Sequence, residues 1–422
     1  MRILSSLFAA SLAVISVNDE AAAEPSQATC EVGVYGDSQN FVVITKSYDE
    51  GLRFSYSDGR VGLLTTGGPI SCDGNKLIID GDTVLLRKDI AVTNTVFFSG
   101  KTRLAGQLLE PKGAGPDTPL VIYAHGSEEL GWIEHSRDPY QMVGRGVSVF
   151  VYDKRGTGRS KGVYSQNFPD LAADLVAASQ EARRLAAGRY GRIGLFGLSQ
   201  GGWIAPMAAD RADADFIGIG YGLVVDILEE DASQVELELR QAGYGEEIIR
   251  KAKEVTDVTA RLATSGYRDG LEELDRLRQD YGDEPWFSKI RGGFTGVILG
   301  IETEELRKNG IPMFDRLNID WSIKPMEVVR STNVSQLWIL AREDREAPIA
   351  KTLDRLNTIR AEGKDITLFT YPDTDHGMWE YVEAADGSRE TTKVTSGFYN
   401  LMADWAKGDV SNKDRYGNAV QE

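Results

Sequence analysis

Cysteine is nearly absent from this 422-residue chain: Cys30 and Cys72 are the only two, and both fall in its first fifth. Neither has a histidine near it in sequence, which removes a thiolate nucleophile or a cysteine-rich metal centre from consideration. Histidine is almost as scarce, with His125, His135 and His376 as the full set, so the search for a catalytic base is short. Positive charge is also in deficit, since 47 Lys and Arg face 64 Asp and Glu for a net charge of −17. That balance argues against a nucleic-acid or anionic-membrane surface and against polyanionic substrates. No apolar run reaches the roughly 20 residues that a membrane-spanning helix needs. Internal repeats and low-complexity segments are missing as well, and at this length one large α/β unit with an accessory module is the natural expectation.

The first residues do carry a shorter apolar run. Met1-Arg2, then Ile3 to Val17, then Ala21-Ala22-Ala23 has the form of a secretory leader: one positive charge, an apolar stretch and a small-residue cleavage site. Cleavage is expected after Ala23, leaving a soluble periplasmic or secreted protein. Gln27-Ala28-Thr29 before Cys30 lacks the leucine of a lipoprotein signal. In an oxidising compartment Cys30 and Cys72 are most simply a disulfide, which would constrain the unfolded chain by about 4 kcal/mol.

Residues 24–94 read as short β-prone runs: Phe41 to Ile44, Leu52 to Tyr56, Val61 to Leu64, Leu77 to Ile79 and Val84 to Leu86. Asp58-Gly59 and Asp80-Gly81 sit between successive runs as hairpin turns, because both central positions of such a turn favour residues at ease with positive φ. A small all-β module is expected there. From Thr95 a hairpin around Gly100 leads into buried-strand runs at Leu120 to Ala124, Val147 to Tyr152, Ile193 to Phe196, Phe216 to Tyr221, Leu337 to Leu340 and Ile366 to Tyr371. Amphipathic stretches lie between them at Leu171 to Leu185, Ile349 to Ala361 and Thr392 to Trp405. This alternation predicts a mostly parallel sheet flanked by helices over 95–422. Only 223–325 breaks it, with charged helical patterns and aromatic residues that look exposed at Trp286, Phe287, Phe294, Phe314 and Trp321. A helical lid inserted between two strands is the reading, its charge runs being solvated faces.

Ser199 sits in Gly197-Leu198-Ser199-Gln200-Gly201-Gly202, directly after one strand run and before the helix-like Trp203 to Ala209. Strand, sharp turn and helix in that order present a serine hydroxyl at the top of a sheet, and a Cβ at either flanking glycine would collide with the neighbouring backbone. A serine hydroxyl needs a base to take its proton and a third group to orient that base. His376, in Asp373-Thr374-Asp375-His376-Gly377 after the last strand run, can supply the base; Asp344, after the strand Leu337 to Leu340, can supply the acid. Glu343, Asp373 and Asp375 are rival acids, less favourably set than Asp344 at its strand end. His125-Gly126-Ser127 ends the strand Leu120 to Ala124, so the backbone N–H groups of Ser127 and Gln200 are candidates for an oxyanion hole, with His125 shaping the loop. His135 reads as a surface residue. The turn Asp153 to Ser160 lacks phosphate-loop length and a following helix start, and is read as architectural, with Asp153 and Arg155 pairing with neighbours.

Taken together, His125-Gly126-Ser127, Asp153-x-Arg155-Gly156-x-Gly158-x-Ser160, Gly197 to Pro206, Asp344 with Pro348, and Asp375-His376-Gly377 resemble the α/β-hydrolase superfamily, nearest its exported bacterial esterase and serine-aminopeptidase-like branch. The resemblance covers about Thr95 to Lys407. It implies carboxylic esters first and short peptides or amides second, with no metal or organic cofactor. A non-hydrolytic binding protein, or a lyase or perhydrolase, is a further alternative on such a fold. An aminopeptidase would need a carboxylate to hold the substrate's amino group, for which Glu229, Glu230 and Asp231 are equal candidates. Two departures stand out: Glu128-Glu129 replaces the further glycine common after His-Gly-Ser, which leaves the backbone donor of that loop open, and Ala341 replaces a glycine before the acid.

Overall fold

The structure is a computed structural model that describes residues 30–422. The leader expected at 1–23 lies outside the described residues.

Seven short strands come first. β1 (Gly33–Gly36), β2 (Phe41–Lys46), β3 (Leu52–Tyr56) and β4 (Val61–Leu63) form one antiparallel sheet, and β5 (Ile70–Asp73), β6 (Lys76–Ile79) and β7 (Thr83–Leu86) form another. Asp80 and Gly81 both take positive φ between β6 and β7, whereas only Gly59 does so in the turn between β3 and β4. Cys30 and Cys72 are bonded to each other, against Tyr35, Val42, Ile44, Ile70 and Leu77. Strand periodicity gives β2 a second buried face: Phe41 and Val43 pack with Leu109, Tyr140 and Val143 and so join this module to the rest of the molecule.

The large sheet has nine strands. In chain order they are β8 (Ile90–Ser99), β9 (Thr102–Pro111), β10 (Leu120–Ala124), β11 (Ser148–Tyr152), β12 (Ile193–Leu198), β13 (Phe216–Gly220), β14 (Ser335–Ala341), β15 (Ile366–Tyr371) and, after a β16 (Thr374–Asp375), β17 (Trp379–Glu383) and β18 (Arg389–Val394) ribbon, β19 (Val420–Gln421). Their spatial order is β19-β15-β14-β13-β12-β10-β11-β9-β8, with β10 to β15 mutually parallel where they pair. The edge strand β8 starts at Ile90, earlier than the Val96 that the apolar pattern marks. Its first half is exposed on both sides, so alternation gives no signal there.

Helices α1 (Asp138–Gly144), α2 (Phe168–Leu185), α3 (Gly201–Ala209), α10 (Ala350–Ala361) and α11 (Phe398–Lys407) cover the sheet, while α4 (Ile227–Gln241), α5 (Glu246–Thr264), α6 (Leu271–Tyr281), the single turn α7 (Val297–Leu299), α8 (Thr303–Asp315) and α9 (Pro325–Ser331) fill the gap between β13 and β14. Leu120, Ile122 and Ala124 of β10 face a core with α2 and α3, while Val121 and Tyr123 face a second core with α1 and α11. Burial on both faces explains why these strands read as continuous apolar runs. The amphipathic stretch from Thr392 begins as strand, and helix starts only at Phe398, after Gly397 takes a left-handed φ of 91°. Trp286 is buried rather than exposed because α4 to α8 build a core of their own around Val235, Leu239, Leu262, Leu274, Trp286 and Leu306, and Phe294 is buried because it joins the main core beside Trp321. Among the described residues no helix is long and apolar enough to cross a membrane.

Candidate active site

The carboxyl ends of β10, β11, β12, β14 and β15 all open on one edge of the sheet, and the chain reverses direction there, running from β10 out to β11 and back to β12. In open α/β sheets such a crevice is where loops from different strands converge. Ser199 follows β12 and takes a φ of +50°, a left-handed conformation costing a non-glycine residue about 1–2 kcal/mol. Its neighbours show why glycine is required: a Cβ on Gly197 would lie 2.1 Å from the Gly201 carbonyl oxygen, and one on Gly201 would lie 2.3 Å from that of Ala124. The Ser199 N–H is fixed by the Gly220 carbonyl at 3.0 Å.

His376 arrives on the loop after β15. Its Nε2 lies 3.1 Å from Ser199 Oγ and its Nδ1 lies 2.9 Å from Asp344 Oδ2. Asp344, 2 % exposed, accepts a second hydrogen bond from the Ala347 N–H at 2.7 Å. None of the rival acids shares this place. Asp375 accepts from the Arg345 and His376 N–H groups and pairs with Arg389, and Glu343 and Asp373 are exposed. With the Nδ1 proton on the Asp344 side, Nε2 is free to accept the serine proton. Tyr221 packs edge-on against the imidazole at 5.1 Å between ring centres.

Two further carboxylates belong to this site. Glu346 Oε1 lies 3.7 Å from His376 Nε2. Glu230 lines the same cavity as Ser199, Ser127, Gln200, Phe168, Trp203 and Glu346, and its buried Oε2 has no hydrogen-bond partner. Burial would push the His376 imidazole down, but Asp344, Glu346 and Glu230 outweigh it and raise it to about 10. Burial, reinforced by Glu346, holds the Glu230 carboxyl well above the usual range. Glu229 is bound by Arg355 at 2.7 Å, and Asp231 accepts from Phe294 N, Thr295 N and Thr295 Oγ1, so Glu230 alone of the three lid acids faces the cavity. Sequence gave no means of choosing among them, nor any signal for Glu346.

The loop after β10 lies against Ser199, since a Cβ on Gly126 would come within 3.6 Å of the Ser199 Cβ. His125 is buried, stacked on Trp132 at 4.6 Å, and its Nδ1 lies 2.8 Å from Glu128 Oε1, so the carboxylate of the departing Glu128 braces this loop. Burial opposes ionisation of Glu128, yet His125 and Lys154 hold it down at about 2. Asp153 accepts from Ile133 N and Arg159 N, and Arg155 grips Asp170 and Asp174. His135 is half-buried rather than on the surface, stacked on Tyr48 of the N-terminal module at 4.9 Å. Among the described residues no group of three or more His, Cys, Asp or Glu is placed to hold a metal ion.

Residues 115–220 match the family model described as serine aminopeptidase, S33. No curated protein matches the chain. Among solved structures, a Pyrococcus furiosus esterase is 15 % identical with a TM-score of 0.42, over 68 % of this chain and 84 % of that one. An acylaminoacyl peptidase of Pyrococcus horikoshii is 14 % identical with a TM-score of 0.43, over 82 % of this chain and 46 % of that one. A Rhodococcus 2-hydroxy-6-oxo-6-phenylhexa-2,4-dienoate hydrolase is 14 % identical with a TM-score of 0.38, over 68 % and 93 %. The strand order β15-β14-β13-β12-β10-β11-β9, the serine turn after β12 and the family match over residues 115–220 show the α/β-hydrolase fold.

Proposed function

We propose that this protein is an exported serine hydrolase that cleaves carboxylic esters through an acyl-enzyme. The observation that carries the reading is the continuous Ser199–His376–Asp344 chain, at 3.1 and 2.9 Å, at the wall of a cavity under a strained serine turn. In this mechanism Ser199 Oγ adds to the substrate carbonyl carbon while its proton passes to His376 Nε2 and the carbonyl π pair moves to oxygen. The N–H groups of Ser127 and Gln200 hold the oxyanion. The tetrahedral adduct collapses with departure of the alcohol, which takes the proton from His376. Water then adds to the acyl-enzyme, His376 again accepting the proton, and the acid is released. Asp344 keeps the Nδ1 proton in place and stabilises the imidazolium. Phe168, Trp203, Leu223 and Ile227 give the cavity an apolar side suited to a small acyl or alcohol group. The Cys30–Cys72 bond and the leader-like first residues support an oxidising location outside the cytoplasm.

One observation favours a second reading, hydrolysis of an aminoacyl amide or short peptide. Glu230 offers an unpartnered carboxyl oxygen inside the cavity, beside Glu346, and a substrate ammonium would supply the missing donor. A panel of short- and long-chain p-nitrophenyl esters against aminoacyl anilides decides between them. Faster ester turnover, unaffected by Glu230→Gln in KM, supports the first reading. Faster anilide turnover, with KM raised about tenfold or more by Glu230→Gln, supports the second.

A further inference from the structure

The oxyanion loop would work through its backbone, and its backbone is held by a buried ammonium. Lys154 lies just past β11 and is 2 % exposed, and its Nζ donates to the Gly126 carbonyl at 2.5 Å. The next carbonyl, that of Ser127, accepts from the Tyr164 hydroxyl, which in turn accepts from Gln166 Nε2 at 2.9 Å. Lys154 Nζ also sits 5.2 Å from the Tyr164 ring centre. Two consecutive carbonyls are therefore gripped from the β11 side, at the loop that touches Ser199.

A trans peptide is planar, so its C=O and N–H point in opposite directions; the protein has no cis peptide among its described residues. Fixing the Gly126 carbonyl toward Lys154 thus turns the Ser127 N–H to the opposite side of the same peptide. Donation to a carbonyl also strengthens the N–H of that peptide as a donor, because the two dipoles polarise each other. An ammonium does this better than a neutral donor. Burial pushes the Lys154 ammonium down to about 8, with Glu128 and Glu129 opposing, which leaves it charged at neutral pH. A buried lysine is costly unless it is used, and its ammonium donates to the Gly126 carbonyl.

We propose that Lys154 is a positioning residue for acyl transfer: by holding the Gly126 carbonyl it aims and polarises the Ser127 N–H toward the oxyanion that forms when Ser199 adds to the substrate. This rests on the acyl-enzyme reading above. No proton leaves Lys154 in the step. The Ser199 proton goes to His376, the new bond is Oγ to carbon, and the π pair becomes the oxyanion that Ser127 N–H receives.

The test uses Lys154→Met, close to isosteric but without a donor, Lys154→Gln, which keeps an N–H donor without charge, and Tyr164→Phe, which removes the hydroxyl donor to the Ser127 carbonyl and so loosens the next peptide of the same loop. Steady-state kinetics are measured on the best p-nitrophenyl ester, together with inhibition by an alkyl boronic acid that mimics the tetrahedral adduct. The expected result for Lys154→Met is a loss of about 100-fold in kcat and a parallel loss of boronate affinity, with KM within a few-fold of wild type. Lys154→Gln recovers most of that loss, and Tyr164→Phe loses about tenfold with the same split. Should Lys154→Met not fold, the other two variants carry the same readout. Unchanged kcat in folded variants, or a fall in kcat with boronate affinity intact, overturns the proposal. Absence of a covalent acyl adduct on Ser199 in the wild type would instead overturn the acyl-enzyme reading itself.

Discussion

Glu346 Oε1 lies 3.7 Å from His376 Nε2, the ring nitrogen that also faces Ser199 at 3.1 Å. The imidazole thus has a carboxylate at each end, Asp344 at Nδ1 and Glu346 near Nε2, with Glu230 in the same cavity. Together they raise its proton affinity against the pull of burial. A base holds no proton only above its pKa, so activity that needs neutral His376 rises toward alkaline pH.

The pH profile of kcat/KM in the free enzyme therefore has its acid limb displaced upward from the usual histidine range. Glu346→Gln removes one of the raising charges, so the limb moves to lower pH while the plateau stays within about tenfold of wild type. A limb that stays in place, or moves up, contradicts the assigned electrostatics. The measurement is a pH–rate series on a neutral ester for both proteins.

Asp344 and Asp375 separate by chemistry. Asp344→Asn disturbs the Nδ1 proton and should lower kcat by roughly 10³- to 10⁴-fold with little change in melting temperature. Asp375 accepts from two backbone N–H groups and pairs with Arg389, so Asp375→Asn should lower stability by about 1–3 kcal/mol and kcat far less. Kinetics and thermal unfolding on both variants check this, and the reverse pattern would exchange the two roles.

The Cys30–Cys72 bond closes a loop with a sequence separation of 42 in the N-terminal module. Replacing both cysteines with serine should destabilise that module by about 4 kcal/mol on the chain-entropy account. Calorimetry, with a non-reduced peptide map of the wild type, tests it; equal unfolding profiles and two free thiols would refute it.

Turn chemistry made much of the site readable in advance. Glycines around Ser199 mark a turn that no Cβ tolerates, and His376 and Asp344 each follow a run of buried-strand residues, so their convergence could be inferred from chain order. Glu346 was not readable, because two residues beyond Asp344 in the same loop nothing in the pattern tells a side chain facing His376 from one facing solvent. Glu229, Glu230 and Asp231 likewise look alike near the start of α4, and only the positions of Arg355 and Thr295 distinguish them. Lys154 lay inside a turn whose glycines drew the reading toward architecture, and its contact with Gly126 depends on β10 and β11 pairing in parallel. The exposed start of β8 and the buried Trp286 and Phe294 show the same limit, since periodicity reports a face only where one side is wet and the other packed.

The most direct test of the central claim is covalent labelling. A fluorophosphonate probe with peptide mapping by mass spectrometry should place one adduct on Ser199 in the wild type, slow sharply in His376→Ala, and leave Ser199→Ala unmodified. An adduct on another residue, or none on a folded wild-type protein, would contradict it.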